Sequence, residues 1–314
     1  PAGTSTAEPP QKSVTTRFCV TNTVEGATFL KIEIVLRSSS VRASGESGTT
    51  GGAIGTGSAS AAESIKVPAQ SWPHDGFFGT FDRAAAQRGY QVYKEVCASC
   101  HGLSFVAFRN LADPGGPGYS AAQAAAFAAE YKVKDGPNDA GDMFERPGRP
   151  ADYFPSPFPN ENAARAANGG AAPPDLSLIA KARTYERGFP WFVFDVFTQY
   201  QEQGPDYLVA LMLGYQDKPP AGFTLPEGSY YNTYFPGHAI KMPKPLNDGQ
   251  VTYDDGSPAT VAQYAKDVPH FLMWTAEPHM EARKQLGLQV FVFLILLSGL
   301  LLRSQVPRQP SRSR

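Results

Sequence analysis

The chain is poor in cysteine, with three among 314 residues, and its formal charge at pH 7 is only −1. Three cysteines cannot build the multi-bridge framework of a small secreted scaffold. Cys19 lies far from Cys97 and Cys100 in sequence, so neighbouring residues do not supply the four ligands of a structural zinc knuckle. No βαβ pattern surrounds the Cys97–Cys100 pair, which argues against a thioredoxin-type dithiol. The absence of a basic surplus leaves no footprint for nucleic acid. Long apolar runs are almost missing. The one uncharged stretch of note is the 17 residues 286–302, which leaves room for one membrane crossing. Residues 29–36 alternate like a strand, but Lys31 and Glu33 interrupt them, so they form no signal-peptide core.

What is present is more decisive. Cys97-Ala98-Ser99-Cys100-His101 is a Cys-x-x-Cys-His run, the attachment pattern of a c-type haem. Two thiols three residues apart can each add to one vinyl group, and the histidine that comes next then lies under the iron. The run occurs once, so one covalent haem c is expected.

Composition divides the chain. Residues 1–70 read as a low-complexity leader, rich in Ser, Gly, Thr and Ala, which cannot bury enough apolar surface to offset its ordering entropy. Residues 71–278 read as the folded haem domain, 279–303 as a membrane anchor and 304–314 as a basic tail. Residues 63–280 hold 24 acids and 17 bases, whereas 281–314 hold one acid and six bases. By the positive-inside rule the tail is cytoplasmic or in the matrix and the haem domain is outside. Removing everything after Pro278 is expected to free a soluble domain.

Within the folded part, Asp82 reads as an N-cap for a helix over residues 83–96 that runs into the haem motif. Gly89 and Tyr93 share one face of it. Glycine there costs about 1 kcal/mol against alanine, which either reflects close packing on another helix or a tolerated surface glycine. Further helices are expected at 121–131, 176–183, 189–200 and 206–213. The prolines in 154–159 impose extended loop. Residues 261–275 carry a helical apolar stripe that Pro269 interrupts, so a kink or a second helix capped by Asp267 is expected. The fold class is mainly α, a c-type cytochrome core with long loop insertions and one C-terminal transmembrane helix.

The second axial ligand separates electron carriage from ligand chemistry. Met212 sits in an apolar helix, and Met273 and Met280 adjoin the anchor. Met242, with Pro243 and Pro245 after it, lies in a stiffened loop suited to hold a thioether at fixed distance. By pattern alone, His238 and Met143 remain alternatives to it. Pro173-Pro174 is a rigid turn suited to offer a backbone carbonyl to the other ring nitrogen of His101.

The chain also resembles the cytochrome c1 family, the haem subunits of ubiquinol–cytochrome c reductases. The resemblance runs from about Trp72 to about Leu302. It rests on residues 97–103, Phe108-Arg109-Asn110-Leu111, Asp135-Gly136-Pro137-Asn138, residues 143–148, Pro173-Pro174-Asp175-Leu176-Ser177 and Tyr234-Phe235-Pro236-Gly237. The most specific pieces are residues 253–260 and 271–278, with Arg283-Lys284 and the anchor beyond them. The resemblance implies that Met242 is the iron ligand opposite His101, that Met143 is a loop residue, and that Arg183 and Asn168 face the haem propionates. It implies electron transfer from a Rieske iron–sulfur protein to a cytochrome c, with cytochrome b and membrane lipid as further partners. No independent substrate site is implied. The setting it implies is a bacterial inner membrane with the haem domain in the periplasm, or a mitochondrial inner membrane facing the intermembrane space.

Two rival readings are weighed against this one. A haem enzyme such as a peroxidase needs an open iron position, which Met242 would close. A free-standing anchored cytochrome shuttle needs only about a hundred residues, so the long loops favour a subunit with partners. Three features depart from the family pattern: the low-complexity leader, Pro269, and a tail without the usual aromatic and lysine-rich ending.

Overall fold

The computed structural model describes residues 65–183 and 203–305. The expected helix at 189–200, most of the leader and the end of the tail lie outside these residues. The described part is mainly helical, with two small sheets.

The first helix begins where the sequence places its cap. Asp82 accepts a hydrogen bond from the Ala85 N–H at 3.0 Å, and α1 (Arg83–Glu95) buries Ala85, Ala86, Gly89, Tyr90, Val92 and Tyr93. A reciprocal Ser120–Gln123 capping box starts α2 (Ala121–Ala129). Asn160 caps α3 (Glu161–Ala167). Two short helices come next, α4 (Ile179–Ala182) and α5 (Gly204–Leu213). The long helices α6 (Val261–Ala276) and α7 (Met280–Gln305) end the described chain.

Strands interrupt the segments expected as plain loop. β1 (Lys132–Asp135) and β2 (Phe144–Pro147) form an antiparallel hairpin, with Lys132 opposite Pro147. β3 (Tyr215–Gln216), β4 (Tyr230–Asn232) and β5 (Ala239–Ile240) form a second antiparallel sheet in that order.

The core is built on α6, which packs against α1, α4 and α5. Phe271 and Trp274 of α6 lie at 0% and 1% exposure, and Phe271 packs on Tyr90 and Tyr93 of α1. Gly89 is the point of closest approach. A Cβ there would stand 2.2 Å from the backbone oxygen of Asp267 and 2.8 Å from Phe271 Cβ. The glycine is therefore a packing requirement, because the atom it avoids is backbone and cannot swing away. Gly89→Ala should force α1 and α6 apart and destabilise the protein by about 1–3 kcal/mol, the usual range for overpacking. Chemical denaturation of the variant measures this.

Pro269 does not divide α6. The helix is continuous through it, and no second helix starts at Asp267. The Asp267 carboxylate instead accepts two bonds from Arg88, at 3.0 and 3.1 Å, and one from Gln263 at 3.0 Å. The proline removes one intrahelical hydrogen bond and costs about 3 kcal/mol in a free helix. Burial of every residue from Tyr264 to Thr275 except Lys266 holds this one together.

The last helix differs in kind. α7 has 26 residues, about 39 Å at 1.5 Å per residue, and exceeds the roughly 30 Å hydrocarbon thickness of a bilayer. Its apolar side chains are uncovered, with Phe291 63% and Leu302 71% exposed. Its first turn is another matter. Met280 is 2% exposed and belongs to the main core cluster. Glu281 accepts from the Phe81 N–H and from Arg83, both at 2.8 Å. Lys284 donates to the His74 carbonyl at 2.6 Å. Packing of the folded unit thus continues past the expected junction at 278. At its other end it begins before Trp72, since Val67 is buried and the Gln70 N–H donates to Asp206.

Candidate cofactor site

Helix α1 delivers the Cys-x-x-Cys-His run directly from its C-terminus. Residues Cys97–Ser99 form one 3₁₀ turn. The Cys100 and His101 N–H groups both donate to the Cys97 carbonyl, at 3.1 and 2.9 Å. In such a turn residues three apart eclipse, so Cys97 and Cys100 share one side of it. No disulfide joins them. Burial, then the neighbouring Cys100, pushes the Cys97 thiol up to about 12. This direction is opposite to the lowered pKa of a redox Cys-x-x-Cys.

His101 is fixed from two directions. Tyr93 of α1 donates its hydroxyl to the His101 carbonyl at 3.1 Å. The ring Nδ1 lies 2.7 Å from the Pro174 carbonyl oxygen. A carbonyl can only accept, so Nδ1 carries the proton and Nε2 keeps its lone pair. Burial lowers the imidazole pKa, and the Pro174 hydrogen bond and Asp175 oppose this without cancelling it. The ring is accordingly neutral at pH 7, with a basic nitrogen available to a metal.

A clasp between residues 102–105 and 174–177 holds this geometry. The Leu176 N–H donates to the Gly102 carbonyl at 2.9 Å. Asp175 spends one carboxylate oxygen on the Ser104 N–H and the other on the Ser177 N–H, both at 2.8 Å. The Phe105 N–H reaches Ser177 Oγ at 3.2 Å. Sequence reasoning named Pro174 but missed Asp175, Ser177 and Tyr93. The available signal was an aspartate directly after two prolines, with a serine two residues on, which is an Asx turn.

Burial raises the Asp175 pKa, but the hydrogen bonds from Ser177 and Ser104 outweigh it and hold the carboxyl below its ordinary value. Its stabilising effect is complete above the unfolded value near 3.9 and is lost as pH falls through the lower folded value. Asp175→Ala should cost about 1–3 kcal/mol by leaving N–H groups without acceptors. It should also flatten the acid limb of the stability–pH curve, which thermal unfolding between pH 2 and 7 would show.

The other residues singled out in the sequence occupy varied settings. Met242 lies just after β5, half-buried, and its carbonyl accepts from the Tyr215 hydroxyl at 3.0 Å. The adjoining Lys241 donates to the Glu227 carbonyl at 2.7 Å. Met143 is 64% exposed at the end of the β1–β2 connection. His238 is engaged locally, with Nδ1 3.2 Å from the Asn232 carbonyl and its ring stacked on Tyr231 at 5.6 Å. Met273 and Met280 are core residues, at 5% and 2% exposure. Asn168 ends α3 and donates its side-chain amide to the Ala164 carbonyl at 2.7 Å. Arg183 ends α4 with an exposed side chain. Apolar side chains near His101 in sequence or across the clasp are also uncovered, with Phe105 67% and Leu178 47% exposed.

Comparison with known proteins places the chain among relatives of one family. The model of the Cytochrome C1 family matches residues 72–307. A protein of Bradyrhizobium diazoefficiens named "Cytochrome b/c1" is 78% identical over 238 residues, 76% of this chain and 35% of that protein. The chain therefore spans about a third of that relative's length. "Cytochrome c1" of Blastochloris viridis is 51% identical over 239 residues, 76% of this chain and 84% of that protein. "Cytochrome c1 1, heme protein, mitochondrial" of Arabidopsis thaliana is 50% identical over 245 residues, 78% of this chain and 72% of its own length.

Proposed function

The chain belongs to the cytochrome c1 family, and from that premise we propose that it is the haem-bearing electron carrier of a ubiquinol–cytochrome c reductase. The observation that carries this reading is the His101 ring, neutral and locked through Nδ1 on the Pro174 carbonyl, directly after two thiols on one side of a single turn. The donor set fits one covalent haem c. Cys97 and Cys100 would hold the haem covalently, and His101 through Nε2 and Met242 through its sulfur would be the residues that ligate the iron. Arg183 and Asn168 would face the propionates. When bound, the haem supplies a one-electron Fe(III)/Fe(II) couple.

The protein's own work is positional. The Pro174 and Tyr93 hydrogen bonds fix the ring orientation of His101 and the direction of its lone pair. The Asp175 clasp ties residues 102–105 to 174–177. Met242, if it is a ligand, would supply a thioether, which raises a haem's potential relative to a second histidine.

The proposed donor is a Rieske iron–sulfur protein and the proposed acceptor a cytochrome c. Cytochrome b is the proposed membrane partner, supported by the name of the Bradyrhizobium relative, which joins b and c1. Helix α7 is the proposed single membrane span, with membrane lipid around it and the haem domain in the bacterial periplasm. Co-purification of the tagged full chain with a cytochrome b and a Rieske protein tests the assignment. Recovery of the chain alone would favour a free-standing shuttle.

Residues 63–280 carry seven more acids than bases, which suits a basic acceptor. Among the acids of residues 135–145 and 254–255, two are already occupied: Asp135 pairs with Arg146 and Asp255 with Arg88. Asp139, Asp142, Glu145 and Asp254 are exposed. Electron transfer to a basic cytochrome c should therefore slow as salt rises, since exposed charges are screened over about 10 Å at 0.1 M. A rate unchanged from low to high ionic strength would discard charge-guided docking and leave the haem assignment standing.

A further inference from the structure

Two adjacent phenylalanines take no part in the core or the cofactor site. Phe77 is 58% and Phe78 81% exposed. They sit at the tip of a closed turn. The Gly79 N–H donates to the Gly76 carbonyl at 3.4 Å, and the Thr80 N–H closes the stem on the Pro73 carbonyl at 3.1 Å. Gly76 takes a φ of 71° that a bulkier residue would resist. From Gly76 to Thr80 the turn carries no charged side chain.

The position of this turn is what gives the rings a meaning. Lys284 of α7 donates to the carbonyls at both ends of the tip, His74 at 2.6 Å and Gly79 at 3.4 Å. Glu281, one turn earlier, holds the Phe81 N–H. The turn is therefore fastened to the first turns of α7. Lys284 is only two residues before Leu286, where the uncharged stretch begins, a rise of about 3 Å along the helix axis. Rings one and two residues from a carbonyl held at that height cannot lie far above it. Exposed phenylalanines beside a lysine at the end of an apolar helix suit a membrane surface, where Phe and Leu side chains bury into the headgroup–acyl boundary while basic groups stay at the polar side.

We propose that the Phe77–Phe78 turn is a second membrane contact, its rings seated in the headgroup–acyl boundary of the outer leaflet beside α7. The occupant is lipid because the turn continues the uncovered apolar surface of α7, and its own residues offer no charge to a polar protein partner. The proposal rests on α7 crossing the bilayer.

Spin-label accessibility in the haem-loaded full chain tests it. Cys19→Ser removes the remaining free thiol, Cys97 and Cys100 being consumed by haem attachment. Labels then go singly on Phe78→Cys, on Leu294→Cys in the middle of α7 and on Asp139→Cys in the distant hairpin, in phosphatidylcholine vesicles. The expected result is loss of contact with a water-soluble nickel chelate and gain of contact with oxygen at 78 and 294, relative to 139. A label at 78 as accessible to the chelate as the one at 139, with 294 in lipid, overturns the turn's role alone. A label at 294 in water overturns the anchor reading and the proposal with it. A label at 78 shielded from both reagents in the co-purified complex means that protein covers the turn, which also overturns it.

Discussion

Met242→Leu should leave haem covalently attached while lowering the midpoint potential and opening the iron to carbon monoxide. Axial ligands move haem potentials over about 0.8 V, so loss of the thioether should be among the largest effects any single substitution has here. The segment that carries Met242 is held on both sides. Its backbone is pinned by the Tyr215 hydroxyl, its neighbour Lys241 is tied to the Glu227 carbonyl, and Pro243 and Pro245 stiffen the segment on its C-terminal side. The two alternatives have other surroundings. Met143 is 64% exposed, and His238 is held by Asn232 and stacked on Tyr231. A redox titration and a carbon monoxide difference spectrum of the variant check this. An unchanged potential would move the ligand away from Met242.

A pair of truncations should differ sharply, although both remove the apolar part of α7. A chain ending at Gln285 keeps the buried Met280, the Glu281 bonds to Phe81 and Arg83, and the Lys284 bond to His74. It should be soluble, red and redox-active. A chain ending at Pro278 loses all of these. Deleting a buried methionine costs about 2–5 kcal/mol, and each N–H left without its carboxylate adds about 1–3 kcal/mol. Melting should fall by on the order of 10 °C, given roughly 2–4 °C per kcal/mol for a unit of this size. Equal melting temperatures for the two would show that the first turn of α7 contributes no stability.

That contrast marks where the sequence was readable. Asp82 announces α1, and the apolar stripe of 261–275 announces α6, because capping and periodicity are local. Gly89 left two readings open in the sequence, since the backbone oxygen it makes room for belongs to Asp267, on another helix. The hairpin was illegible. Its strands, Lys-Val-Lys-Asp and Phe-Glu-Arg-Pro, are short and charged and carry no sustained apolar alternation, and the Arg146 pairs with Asp135 and Asp152 connect residues several positions apart. At the site, Cys97, Cys100 and His101 are contiguous and could be read directly. The Asp175 clasp joins residues about seventy apart, at distances no spacing rule reaches. The first turn of α7 looked like ordinary interfacial flank because burial of Met280 depends wholly on the tertiary fold.

The bracing at that turn also settles how the domain can move. Glu277 pairs with Lys181 and Arg283, Glu281 with Arg83, and Lys284 caps the His74 and Gly79 carbonyls. With ties on successive turns there is no swivel between helix and domain, so rotating one rotates the other. One residue inserted inside the helix just after Lys284, beyond these ties, would turn the domain by about 100° relative to the rest of α7, at 3.6 residues per turn. Under the proposed role, a gap between His101 and a donor or acceptor would have to be closed by the partner's travel.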